Sequence, residues 1–153
     1  MIIEHRRHSK RNPPNPHLNS EGVRIARKIG ETMGKIDFVL TSVSPRAIET
    51  AVAMGFAVDE TIDFSTTAKD LPGTPEELPE GTPFAEYGVK YESNEYFKEW
   101  GNRVKSLLMS QLSKIDMDKR VLIVSHAGII EISTIALLSG SDLNSLGKGV
   151  DIC

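Results

Sequence analysis

The sequence predicts a three-layer α/β/α fold with a mainly parallel central sheet and helices on both faces. Two observations carry that prediction. Short apolar runs that read as strands alternate along the chain with longer segments of helical periodicity. Three of those runs end in basic residues: Met1–Arg11 brings Arg7, His8 and Arg11, Val39–Ala51 brings Arg46, and Val121–Gly128 brings His126. In an open parallel sheet ligands bind beyond the carboxyl ends of the strands, so topology alone is expected to gather these groups.

The elements follow in order. Ile2–His5 reads as a short buried strand running into basic residues. Arg11–His17 holds Pro13, Pro14 and Pro16 and is loop. Ser20–Met33 spaces Val23, Ile25, Ala26, Ile29 and Met33 as one face of a helix, and Gly34 is a suitable stop. Asp37–Ser42 is a second strand. Ser44 and Pro45 then open a helix to about Gly55, with serine as N-cap and proline in the first turn. Residues 59–93 are rich in proline, glycine, threonine and acids, and read as an irregular insertion with at most short helical turns. Asn94–Ile115 is an amphipathic helix with Phe97, Trp100, Val104, Leu107, Leu108, Leu112 and Ile115 on one face. Arg120–Ser125 is the clearest buried strand. Ala127-Gly128 turns into an apolar helix over Ile129–Leu138 ended by Gly140, and Gly149–Cys153 is a candidate edge strand.

The chain has 153 residues and reads as a single domain over residues 1–153, long enough to bury a core. It carries 18 Lys and Arg against 21 Asp and Glu, a formal charge of -3. That balance offers no general basic face for nucleic acid or membrane, so the basic residues must act locally. No apolar run is long enough to span a bilayer, and the opening residues do not form a signal peptide. Cys153 stands alone, which builds no disulfide framework or thiolate metal site and suits a reducing, cytoplasmic setting. His5 and His17 read as ordinary, and Gly147-Lys148-Gly149 lacks the remaining residues of a phosphate loop.

Two histidines and three arginines fit the handling of a phosphoryl group. Guanidinium matches its oxygens with a rigid fork of donors and stays charged. Arg46 falls in the first turn of its helix, where free N–H groups and the helix dipole favour an anion. The cations stabilise neutral imidazole, which keeps His8 nucleophilic near neutral pH. His126 is expected to be protonated with phosphate bound. Those proton states predict an acid limb in the rate profile, against which a profile flat from pH 5 to 8 would count.

These motifs resemble the histidine phosphatase (phosphoglycerate mutase-like) superfamily. Arg7-His8-Ser9 resembles its Arg-His-Gly signature, and Leu18–Gly22 is similar to its Leu-Thr-x-x-Gly element. Ser44–Ala51 resembles its Ser-x-x-x-Arg-Ala-x-x-Thr-Ala element, one or two residues shorter before the arginine. Ser125–Gly128 matches the second-histidine element. The resemblance runs from residue 1 to about 140 and implies a phosphoglycerate mutase-like fold. It further implies a phosphohistidine on His8, a phosphate pocket of Arg7, Arg46 and His126, and neither metal nor organic cofactor. Arg11 falls where many members carry another phosphate-binding arginine.

Family members take a Glu or Asp from the middle insertion as general acid. Phe84–Ser93 is similar to that stretch and favours Glu86, with Asp70 and Glu92 as alternatives. Ser9 departs from the usual glycine, adding a Cβ where the backbone may need a close approach or positive φ. Reduced activity or a reshaped loop is expected. The function implied is hydrolysis of phosphomonoesters or protein-borne phosphate, with a phosphorylated small molecule or phosphoprotein as partner. A non-catalytic phospholigand-binding protein is the alternative. A phosphomutase ranks lower, since it needs a more enclosed, water-poor site.

Overall fold

A computed structural model describes residues 1–71, 78–79, 81–138 and 142–150. Its contacts divide the chain into two compact units, one of Met1–Asp63 with Ile115–His126, the other of Phe64–Lys114 with the described residues after His126.

The first unit is built on a parallel sheet of β1 (Ile2–Arg7), β2 (Phe38–Ser42), β3 (Glu60–Ile62) and β4 (Arg120–Ser125), in the order β1-β4-β2-β3. The fold class is therefore α/β with a parallel sheet, as the alternation predicts. Val121–Val124 of β4 is buried throughout, the continuous apolar run of a strand lying between two neighbours. Helix α1 (Ser20–Met33) and helix α2 (Pro45–Ala53) complete the unit. Ala26, Met33, Ala47, Ala51 and Met54 pack with Val39, Leu122 and Val124 into its core. Asn19 caps α1 by accepting from Gly22 N at 2.8 Å, and Gly34, at φ 70°, ends it.

Gly22 is required for a different reason. A Cβ there would lie 2.1 Å from the carbonyl oxygen of Lys10, so the start of α1 rests directly on the backbone after His8. Asn19 N donates to that same Lys10 oxygen at 3.1 Å.

In the second unit, α3 (Phe84–Ser93), α4 (Glu95–Leu112) and α5 (Ile129–Leu137) pack together. Phe97, Val104, Leu108 and Leu112 are buried along α4, the stripe read from its spacing. Glu131 in the first turn of α5 accepts from Gly128 N at 2.6 Å and Val150 N at 3.0 Å.

Two expectations are corrected. Ile2 and Ile3 are 66% and 45% exposed, because β1 is an edge strand rather than a buried one. The insertion 59–93 is not irregular throughout: it contains the edge strand β3 and the ten-residue helix α3. Buried Phe84, Tyr87, Gly88 and Tyr91 supply α3 with a helical face hidden by the surrounding prolines and acids. Of the candidate edge strand at Gly149–Cys153, only Gly149 and Val150 are among the described residues. Residues 151–153 and Gly140 lie outside the described residues. Among the described residues no helix is long and apolar enough to cross a membrane.

Candidate active site

Strand register brings the histidines together. Arg7 of β1 is the partner of Ser125 of β4, so His8 and His126 leave neighbouring parallel strands at the same level. His8 N donates to Ser125 O at 2.9 Å, one further rung. The imidazole centroids are 5.3 Å apart, edge to face. On the far side of β4, β2 ends at Ser42, and Arg46 follows in the first turn of α2.

The protonation pattern follows from donor and acceptor chemistry. His8 Nδ1 lies 2.8 Å from the carbonyl oxygen of Ser9. A carbonyl only accepts, so Nδ1 carries the proton and Nε2 presents its lone pair. His126 is the opposite tautomeric case. Arg46 Nη2 donates to its Nδ1 at 3.3 Å, and guanidinium cannot accept. The proton is therefore on Nε2, which donates to Ser42 Oγ at 2.9 Å. His126 thus has both nitrogens engaged. His8 Nε2 has no hydrogen-bond partner among the described residues.

Electrostatics hold both rings neutral. Burial lowers His8 to about 4, assisted by the charges of Arg46, Arg7 and Arg11 and opposed by the bond to Ser9 O. Burial lowers His126 to about 3, with Arg46, His8, Arg7 and Arg11 pushing the same way. Arg46 is itself lowered by burial and by the like charges of Arg11 and Arg7. Its Nε is buried with no hydrogen-bond partner among the described residues. A buried donor among gathered positive charges is suited to an anionic ligand.

The structure thus brings together Arg7, His8, Arg11, Arg46 and His126. Glu86 lies exposed in the first turn of α3, in the second unit, as do exposed Asp70 and Glu92. Among the described residues no group of three or more His, Cys, Asp or Glu side chains could hold a metal ion. With both histidines lowered by burial and the arginines, the acid limb is expected below pH 5 rather than between pH 5 and 8.

Three further readings are revised. Ser9 takes no positive φ, and its buried hydroxyl is turned to α1, donating to Gly22 O at 2.9 Å. Ser44 occupies the N-cap position, yet its hydroxyl makes no capping bond. Sequence reasoning also missed Ser42, whose signal was the motif's spacing. Counted from Ser42 rather than Ser44, Ser-x-x-x-Arg-Ala-x-x-Thr-Ala fits through Ala51 without a gap.

Comparison with known proteins places this geometry in context. The family model described as histidine phosphatase superfamily (branch 1) matches residues 4–149. No curated protein sequence matches the chain. Among solved structures, it is similar to phosphoserine phosphatase from Entamoeba histolytica in complex with 3-phosphoglyceric acid. That match has 17% identity and a TM-score of 0.61, covering 89% of this chain and 79% of the other. A mutant of the same enzyme with phosphoserine matches at 18% identity and a TM-score of 0.60, covering 89% and 79%. A mycobacterial glucosyl-3-phosphoglycerate phosphatase with VO3 matches at 18% identity and a TM-score of 0.62, covering 94% and 86%.

Proposed function

Because the chain belongs to the histidine phosphatase superfamily, we propose that it hydrolyses phosphomonoesters, small or protein-borne, through a phosphohistidine on His8. The observation that carries this reading is the fixed tautomer of His8. Its Nδ1–H is held by Ser9 O, leaving Nε2 as an available lone pair within a group of arginines. His126, engaged at both nitrogens, is the poorer nucleophile and the better phosphate ligand.

In the proposed reaction Arg7, Arg11, Arg46 and His126 hold the phosphoryl oxygens. His8 Nε2 attacks phosphorus as the ester P–O bond breaks. The departing oxygen takes a proton from a carboxyl group, for which Glu86 remains our candidate ahead of Asp70 and Glu92. Water then attacks phosphorus, giving its proton to that carboxylate. The P–N electron pair returns to Nε2, and inorganic phosphate leaves.

A non-catalytic phospholigand-binding protein is the second reading. It is favoured by Glu86, which is exposed and has no side-chain partner among the described residues. Exposure to a radiolabelled phosphodonor separates the two. Acid-labile, alkali-stable label on His8, together with phosphate release, supports the phosphatase. Phosphate binding with neither label nor turnover supports the binding protein. Turnover that survives His8→Ala rules out the site.

A further inference from the structure

We infer that the Ser9 hydroxyl is a positioning group that sets the tautomer of His8. This rests on the phosphatase reading only for its kinetic consequence. Ser9 is fully buried; its hydroxyl and amide bond to two different helices, and its carbonyl to the ring of the preceding residue. The hydroxyl donates to Gly22 O of α1 at 2.9 Å. The amide donates to Thr50 Oγ1 of α2 at 2.9 Å, and Thr50 in turn donates to the Arg46 carbonyl at 2.7 Å. The carbonyl receives His8 Nδ1–H at 2.8 Å.

A peptide carbonyl cannot turn without moving the residue that bears it. The hydroxyl anchors that residue to the start of α1, and the start of α1 is in turn tied to the backbone after His8 by the bond from Asn19 N to Lys10 O at 3.1 Å. The direction of the Ser9 carbonyl, and with it the ring nitrogen that keeps the proton, is therefore fixed by the side chain of Ser9. The same residue connects the nucleophile to Arg46 through Thr50. In this chain the serine serves as a strut in the phosphoryl site, built where a glycine would offer no such tie.

The test compares the parent with Ser9→Ala and Ser9→Gly, using two readouts. The first is ¹⁵N NMR of the His8 ring, which distinguishes Nδ1–H from Nε2–H. The second is steady-state kinetics with a chromogenic phosphomonoester. Loss of the strut is expected to bring a second tautomer into the spectrum and to lower kcat about tenfold, with KM within about twofold. If Ser9→Ala does not fold, Ser9→Gly, which needs less space, supplies the comparison. Retention of a pure Nδ1–H signal and parental kcat in a folded variant overturns the inference. Absence of turnover in the parent counts against the phosphatase reading alone, because the tautomer still decides the role of Ser9.

Discussion

Arg46 donates to Nδ1 of His126 at 3.3 Å, so two of the residues proposed to hold phosphate are bonded to each other. A bound phosphoryl group would draw the guanidinium fork to its oxygens. Nδ1 of His126 would then be released beside negative charge and take up a proton. Titration calorimetry with inorganic phosphate, in buffers of different ionisation heat, should show net proton uptake near pH 6. His126→Asn should reduce that uptake. Binding without proton exchange in the parent would contradict the expected coupling.

Substitution of His8 by alanine should remove the phosphohistidine label and lower kcat/KM on the order of 10³-fold or more. In the parent, kcat/KM should be flat as pH falls from 8 to 5 as far as His8 is concerned, then drop through about 4 as its ring protonates. A midpoint near 6.5 would mean that burial and the arginines do not hold His8 neutral.

Ser42 is buried beneath His126 and accepts its Nε2–H. Ser42→Ala should leave the fold intact while letting the imidazole turn. A loss of about tenfold in kcat is expected, accompanied by weaker phosphate binding. Unchanged kinetics in a variant of parental melting temperature would remove Ser42 from the site.

Stability should also depend on pH. Burial lowers His5 and His8 to about 4 and His126 to about 3, all below the usual value near 6.5. Between those limits the unfolded chain binds protons that the native one refuses. Their contribution is therefore complete above about pH 6.5 and is lost as pH falls toward 4. Urea unfolding should show a lower midpoint at pH 5 than at pH 7. Equal midpoints would argue that these rings are better solvated than their burial indicates.

Gly22→Ala should destabilise the protein by about 3 kcal/mol, since backbone rather than a movable side chain obstructs the new methyl. Thermal unfolding should show a drop of roughly 6–12 °C. A melting temperature within about 1 °C of the parent would show that the start of α1 can move away from Lys10 at little cost.

Much of this site was legible because its signals are local. Arg-His, Pro-Arg-Ala and Ser-His-Ala-Gly each sit where an apolar run ends, and a parallel sheet brings such ends to one side. The missed parts depend on partners distant in sequence. Ser42 acquires its role only through His126, 84 positions away. Ser9 looked like a defect because its partner carbonyl, Gly22 O, lies on another element. β3 is a three-residue edge strand, Glu60–Ile62, too short and polar to announce itself. Helix α3 was obscured by the composition around it, although Phe84, Tyr87 and Tyr91 keep helical spacing. Glu86 remains a candidate from resemblance, without a side-chain bond among the described residues that marks its role.

The hydrogen bond from His8 N to Ser125 O makes the amide of the proposed nucleophile the last rung of the β1–β4 ladder. A catalytic loop can usually fray while its scaffold stays intact. Here the reactive residue cannot swing away unless the strand pair begins to unzip. Activity and cooperative structure should then be lost together on heating, with no temperature range of folded but inactive protein. The His8 amide should exchange with solvent at the pace of the strand, and far more slowly than the proline loop that follows it.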